Sequence, residues 1–169
     1  AHYFFIDTAL LAPQYTLKML HACNIDDHYL QIYYFLLDHF ATKQREWIIK
    51  ELERSTSKWK LIMGHYPAIS GGKHQISNEI FTFIKDLCTK YSIDYYISGH
   101  EHNVQFLQKF NTHFIVSAGL HHTYPVEKIP DTTFCTSESG YIQLEVSPRY
   151  ILTYVVNEKQ KFLVHVNYK

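Results

Sequence analysis

The chain has 169 residues, 46% of them apolar, and its 16 basic and 16 acidic side chains cancel to a formal net charge of zero. That length suits one domain with a packed core and excludes wholesale disorder, and the balanced charge gives no basic surface for tracking nucleic acid. The longest apolar run, Ile32 to Leu37, is far short of the roughly 20 residues of a membrane span, and three cysteines (Cys23, Cys88, Cys135) without a CxxC exclude a disulfide scaffold and a cysteine zinc ribbon.

Tyr3-Phe-Phe-Ile6 is a continuous apolar run followed by Asp7-Thr8, which predicts a buried strand opening into a loop. Asp7 is expected to cap or fix that loop. Residues 9–27, with Pro13 and a polar cluster at 24–27, read as a connection with some helix. In His28–Phe40 the apolar residues Leu30, Tyr33, Tyr34, Leu37 and Phe40 follow helical spacing and predict core packing. Thr42–Ser55 predicts a separate helix, capped by Thr42, with Trp47, Ile48 and Leu52 on its buried face.

Trp59–Met63 predicts a second strand ending at Gly64-His65-Tyr66-Pro67, with a Gly-rich loop at Ser70-Gly-Gly72. Asn78–Tyr91 predicts an amphipathic helix with Ile80, Phe81, Ile84, Leu87 and Cys88 on one side, and Ile93–Ile97 a third strand ending at Gly99-His100-Glu101-His102. Short strands follow near 104–108, 113–117, 141–146, 150–156 and 161–168, the last three set off by turns at Ser139-Gly140, Ser147-Pro148 and Asn157-Glu158. The predicted class is α/β: βαβαβ over residues 1–102, then an antiparallel meander.

Strand-end loops of a βαβ layer open onto one edge of the sheet, where ligands bind. Two of the three loops here place a histidine directly after a glycine, which lets the backbone turn sharply and approach an ion. Imidazole is a good ligand for zinc, iron or manganese, so His65, His100 and His102 are the candidate metal ligands. His121 and His122 follow Gly119 and are read by default as solvated or core histidines. His2, His21, His28, His39, His74, His113 and His165 are read as ordinary surface or core histidines. No serine or cysteine sits in a nucleophile elbow.

Leu61-Ile-Met-Gly-His-Tyr-Pro67 and Tyr96-Ile-Ser-Gly-His-Glu-His-Asn103 resemble two motifs of the calcineurin-like metallophosphoesterases, and more narrowly the small, tartrate-resistant type of purple acid phosphatase. Phe4-Phe-Ile-Asp-Thr8, Gln44-Arg-Glu-Trp47 and Val116-Ser-Ala-Gly119 resemble further segments of that family. The resemblance implies a four-layer sandwich of two β-sheets flanked by helices. It also implies two metal ions, iron plus a divalent iron, zinc or manganese, that hydrolyse phosphate monoesters. By the same resemblance His65 and His100 match ligands of the divalent metal and His102 a ligand of the iron, with Asn103 orienting a ligand, Tyr66 near substrate and His122 a pocket-rim candidate.

The family's other ligands belong to earlier motifs: an aspartate, GDxxY and GNH, whose histidine is its proposed acid. None of these occurs here. Residues 1–169 are therefore expected to be the C-terminal portion of one catalytic domain. The N-terminal half would be needed for activity, whether upstream or as a separate chain, and without it the inner sheet face is expected to lie exposed, so that this half would not fold alone. The alternative is a catalytically inactive subunit of the same fold with a structural or interaction role; a phosphodiesterase of this fold is a third reading. The resemblance implies a secretory route, extracellular or lysosomal.

Overall fold

Four strands run parallel in one sheet because the segments between the first three are long enough to carry helices back across its face. They are β1 (His2–Phe5), β2 (Lys60–Met63), β3 (Tyr95–Ser98) and β5 (Thr112–Val116), reached through β4 (Val104–Lys109). The computed structural model describes residues 1–23, 26–117 and 122–169. β4 pairs antiparallel with β5 and with β6 (Thr132–Thr136), giving the order β1-β2-β3-β5-β4-β6. A second sheet is the meander β7 (Gly140–Val146), β8 (Tyr150–Asn157) and β9 (Lys161–Tyr168). The α/β class and the two sheets hold. The expected meander is shorter than its sequence suggested, since β4 and β5 join the first sheet, and β6 was not foreseen.

Register sorts the side chains. Phe4, Ile62, Tyr96 and Phe114 align across four strands and face the helices. Leu61, Tyr95 and Ile115, with Phe106 from β4, face the meander together with Trp59 and Ile151. Each large apolar side chain so buried contributes about 1.5–3 kcal/mol. The Trp59 indole N–H donates to the Ser147 carbonyl at 2.7 Å, fastening the meander to the first sheet. The inner face is thus largely covered. That corrects the expectation of an exposed inner face: among the described residues the edge strand β1 leaves part of it bare, with Tyr3 44% and Phe5 70% exposed.

The helical layer holds α1 (Thr8–Leu11), α2 (Pro13–His21), α3 (Asp27–Arg54) and α4 (Asn78–Tyr91). α4 follows the sequence pattern, capped by Ser77 and stopped by left-handed Ser92, although Phe83 rather than Phe81 is fully buried. α3 corrects two expectations. It is one helix of 28 residues, capped by Asp26 through the His28 N–H at 2.9 Å, so Thr42 lies inside it. Nothing breaks it at the supposed gap, where Ala41 is a strong helix former and is buried. Its core stripe is Leu30, Leu37, Ala41, Ile48 and Leu52, whereas Trp47 and most large apolar side chains of 29–40 are exposed. No described helix is long and apolar enough to cross a membrane.

Candidate metal centre at the strand ends

β2 and β3 are parallel neighbours, so the loops that follow them emerge side by side. The Gly64 N–H donates to the Ile97 carbonyl and the Gly99 N–H to the His65 carbonyl, both at 3.0 Å, which binds one loop to the other. Beneath them the fully buried Thr8 hydroxyl accepts from the backbone N–H groups of His65 (3.1 Å) and Tyr66 (2.9 Å). Gly64 is obligatory here, because a Cβ would collide with the Thr8 methyl. α3 supports the same corner: the Gln44 amide donates to the Asp7 carbonyl at 2.8 Å and accepts from the Asp7 N–H at 2.7 Å. Asp7 caps α1 through the Ala9 N–H, as expected.

This scaffold brings His65 and His100 together, ring centroids 5.2 Å apart and His65 Nε2 3.3 Å from His100 Nδ1. The Tyr66 ring packs on both, at 4.9 and 4.7 Å. His102 instead stacks flat on Tyr124, 4.9 Å away with a 6° interplanar angle. His100 and His102 both adopt left-handed backbone, φ 68° and 49°. Such conformations cost side-chain-bearing residues on the order of 1 kcal/mol and persist where surroundings impose them, as functional sites do.

His74, read from sequence as an ordinary histidine, lies in the same cluster, 4.6 Å from the His100 ring and 5.4 Å from Tyr124. Its Nδ1 lies 3.2 Å from a carboxylate oxygen of Glu101, which is fully buried and also accepts the His74 N–H. Gly72 admits that approach, since a Cβ there would overlap the Glu101 carboxylate. The Gly-Gly pair ahead of Lys73-His74 was the available signal. Asn103 reaches His102 indirectly. Its amide donates to the Tyr124 and Pro125 carbonyls and its oxygen accepts from Gln105, which also binds Ser70 and Gly71. His122 is exposed, two residues before Tyr124, and His121 and Ala118-Gly119 lie outside the described residues.

Burial, and then the imidazoles of His74, His65 and His102, pull His100 down to about 4, so it is a neutral donor at ordinary pH. His100 Nε2 and His102 Nδ1 are buried without a hydrogen-bond partner, as ligand nitrogens awaiting an ion would be. Yet no group of three or more His, Cys, Asp or Glu side chains among the described residues is arranged to hold a metal. The one buried carboxylate nearby, Glu101, is committed to His74. The residues present fit part of a metal centre. A full set needs further, anionic donors.

A profile of the family described as "Calcineurin-like phosphoesterase" matches residues 15–104. The chain is 28% identical over 127 residues to tartrate-resistant acid phosphatase type 5 of Sus scrofa, a match covering 68% of this chain and 37% of that protein. Among solved structures it is similar to GAP50, the anchor in the inner membrane complex of Plasmodium. That match has a TM-score of 0.74 at 19% identity and covers 98% of this chain and 48% of the other. It is also similar to purple acid phosphatase PPD1 from yellow lupin, Lupinus luteus, with a TM-score of 0.58 at 16% identity, covering 71% and 27%. The chain thus spans less than half the length of each of these proteins.

Proposed function

The chain belongs to the calcineurin-like phosphoesterase family, and from that premise we propose that it is the C-terminal part of an acid-phosphatase-like enzyme that hydrolyses phosphate monoesters at two metal ions. The observation that carries this reading is the meeting of His65 and His100 on two tied strand-end loops, with unpartnered buried nitrogens on His100 and His102. His65 and His100 hold one metal, a divalent iron, zinc or manganese, and His102 helps to hold an iron. An N-terminal half, upstream or as a separate chain, contributes the carboxylates. The metals, when bound, supply Lewis acidity and an activated hydroxide. Tyr66 and His122 border the substrate phosphate, and the buried Asn103 acts behind His102 by holding the Tyr124 backbone. Glu101 fixes the ring of His74, which packs 4.6 Å from the His100 ring and so steadies a candidate ligand, and the acid histidine comes from the N-terminal half. The relatives' kind also implies a secretory route, which locating the tagged complete protein would check.

The test is metal content and phosphomonoester turnover of the complete polypeptide beside its His100→Ala variant and the isolated 169 residues. The reading expects two metals and turnover in the complete protein, with near-background activity in the other two. A complete protein that binds no metal and turns nothing over overturns it. A second reading would then take its place, an anchoring subunit without catalysis. It is favoured by the likeness over nearly the whole chain to an anchor protein and by the incomplete ligand group.

A further inference from the structure

α3 carries a second apolar stripe that is largely open to solvent in the described structure. Tyr29, Tyr33, Leu36 and Phe40 are 67%, 47%, 43% and 51% exposed. Their spacing of four, three and four residues is the alternation of a coiled-coil seam, distinct from the buried stripe of Leu30, Leu37 and Ala41 beside it. The same alternation continues by three residues at each end to a charge, Asp26 before Tyr29 and Lys43 after Phe40, both exposed. Ile32, 48% exposed, widens the seam on its solvent side.

We propose that this seam pairs antiparallel with the seam of a second copy of the chain. The register is set by the sequence. Tyr29 lies opposite Phe40 of the partner subunit, Tyr33 opposite the partner's Leu36, and Asp26 opposite the partner's Lys43. A parallel pair would set acid against acid and base against base. The antiparallel pair makes two ion pairs, one at each end, and closes with two-fold symmetry. Asp26 spends one carboxylate oxygen on the His28 N–H, which leaves the other for the partner. Tyrosine suits such a seam because its ring packs inside while its hydroxyl reaches water. The seam runs only about 16 Å along the helix, and buries less than the roughly 800 Å² per partner of a standard interface, so the association is weak, with a Kd on the order of micromolar. The inference is independent of the phosphatase reading, since no residue of the seam belongs to the histidine cluster.

The experiment is sedimentation of the complete polypeptide from about 1 to 200 µM, a range that brackets such a Kd, with wild type and Leu36→Glu compared. Disulfide trapping in a Cys23→Ser background runs beside it. The expected result is a monomer–dimer equilibrium that Leu36→Glu weakens by at least about tenfold, the scale of one lost apolar anchor. Tyr33→Cys/Leu36→Cys should cross-link between subunits while the mis-registered Tyr29→Cys/Leu36→Cys does not. If Leu36→Glu fails to fold, the cross-linking pair decides alone. A protein that stays monomeric throughout the range overturns the proposal, as does equal cross-linking of the two pairs. So does a monomer whose helix amides at 29–40 are protected from exchange, which would place another part of the same polypeptide on the seam.

Discussion

Two clusters of imidazoles lie among the described residues, and each holds one histidine at about 4: His100 at the strand ends and His113 between the sheets. Each also contains a buried ring nitrogen without a partner. What separates them is everything else. His113 sits in regular β5, in register with Tyr95 and Gln108, with rings of Tyr95, Phe106 and His165 around it at 5.0, 5.2 and 4.4 Å. His100 sits on a left-handed turn between two tied loops, facing His65 and His74, with a buried carboxylate next to it in sequence. Burial, helped by one neighbouring imidazole, is enough to lower a histidine and strand a nitrogen. Convergence of several donors on an imposed backbone is what marks a site.

The largest expected effect breaks the comparison if it fails. In the complete protein His100→Ala should cut activity by more than the roughly 100-fold that losing a ligand's outer partner costs, and remove mainly one metal. His113→Ala should leave metal stoichiometry alone, and a change there would place both clusters in the centre.

The next effect is on stability. His113 titrates near 6.5 when unfolded and about 4 when folded, so between those values the unfolded chain binds more protons and stability rises with pH. The contribution, about 3 kcal/mol, is complete above pH 6.5 and is lost as pH falls toward 4; His165, lowered by burial, adds in the same direction. Chemical denaturation at several pH values should show that slope in wild type and a flatter one in His113→Phe.

Glu101→Gln sharpens the other side of the comparison. It leaves the three candidate ligands in place but loosens His74, and a loss of roughly 10–100-fold in kcat with unchanged metal content is expected. Thr8→Val should be smallest. The Tyr66 N–H and that of the exposed His65, which water can satisfy again, lose their acceptor, so a net cost near that of one buried group, about 1–3 kcal/mol, is expected, read as a lowered Tm.

The strand ends were legible because short apolar runs stop at Gly-His, and α4 because its apolar side repeats at helical spacing between a serine cap and a left-handed stop. α3 was misread at Thr42, whose type suits a cap. A cap needs a non-helical residue there, and neither Phe40 nor Ala41 gives the chain a reason to leave the helix. β6 escaped notice because Thr132-Thr-Phe-Cys-Thr136 pairs only with β4 and is only partly buried, so it needs no apolar alternation. His74 escaped because a loop carries it to the site, and that approach is recorded only in the two glycines before it. Tyr124, which shapes the surroundings of His102, had no local signal at all.

β1 closes the larger sheet at one end, and among the described residues its outer backbone edge pairs with nothing. β6 is the opposite edge of the same sheet, so pairing β1 of one copy with β6 of the next leaves an open edge at each end, and growth by this head-to-tail route has no natural stopping number. The helix seam differs, since one two-fold pairing uses it up. Light scattering of concentrated samples therefore distinguishes them by shape of growth: a plateau at twice the mass for the helix, an unbounded climb for the edge. A lysine in place of Phe5 would suppress only the second.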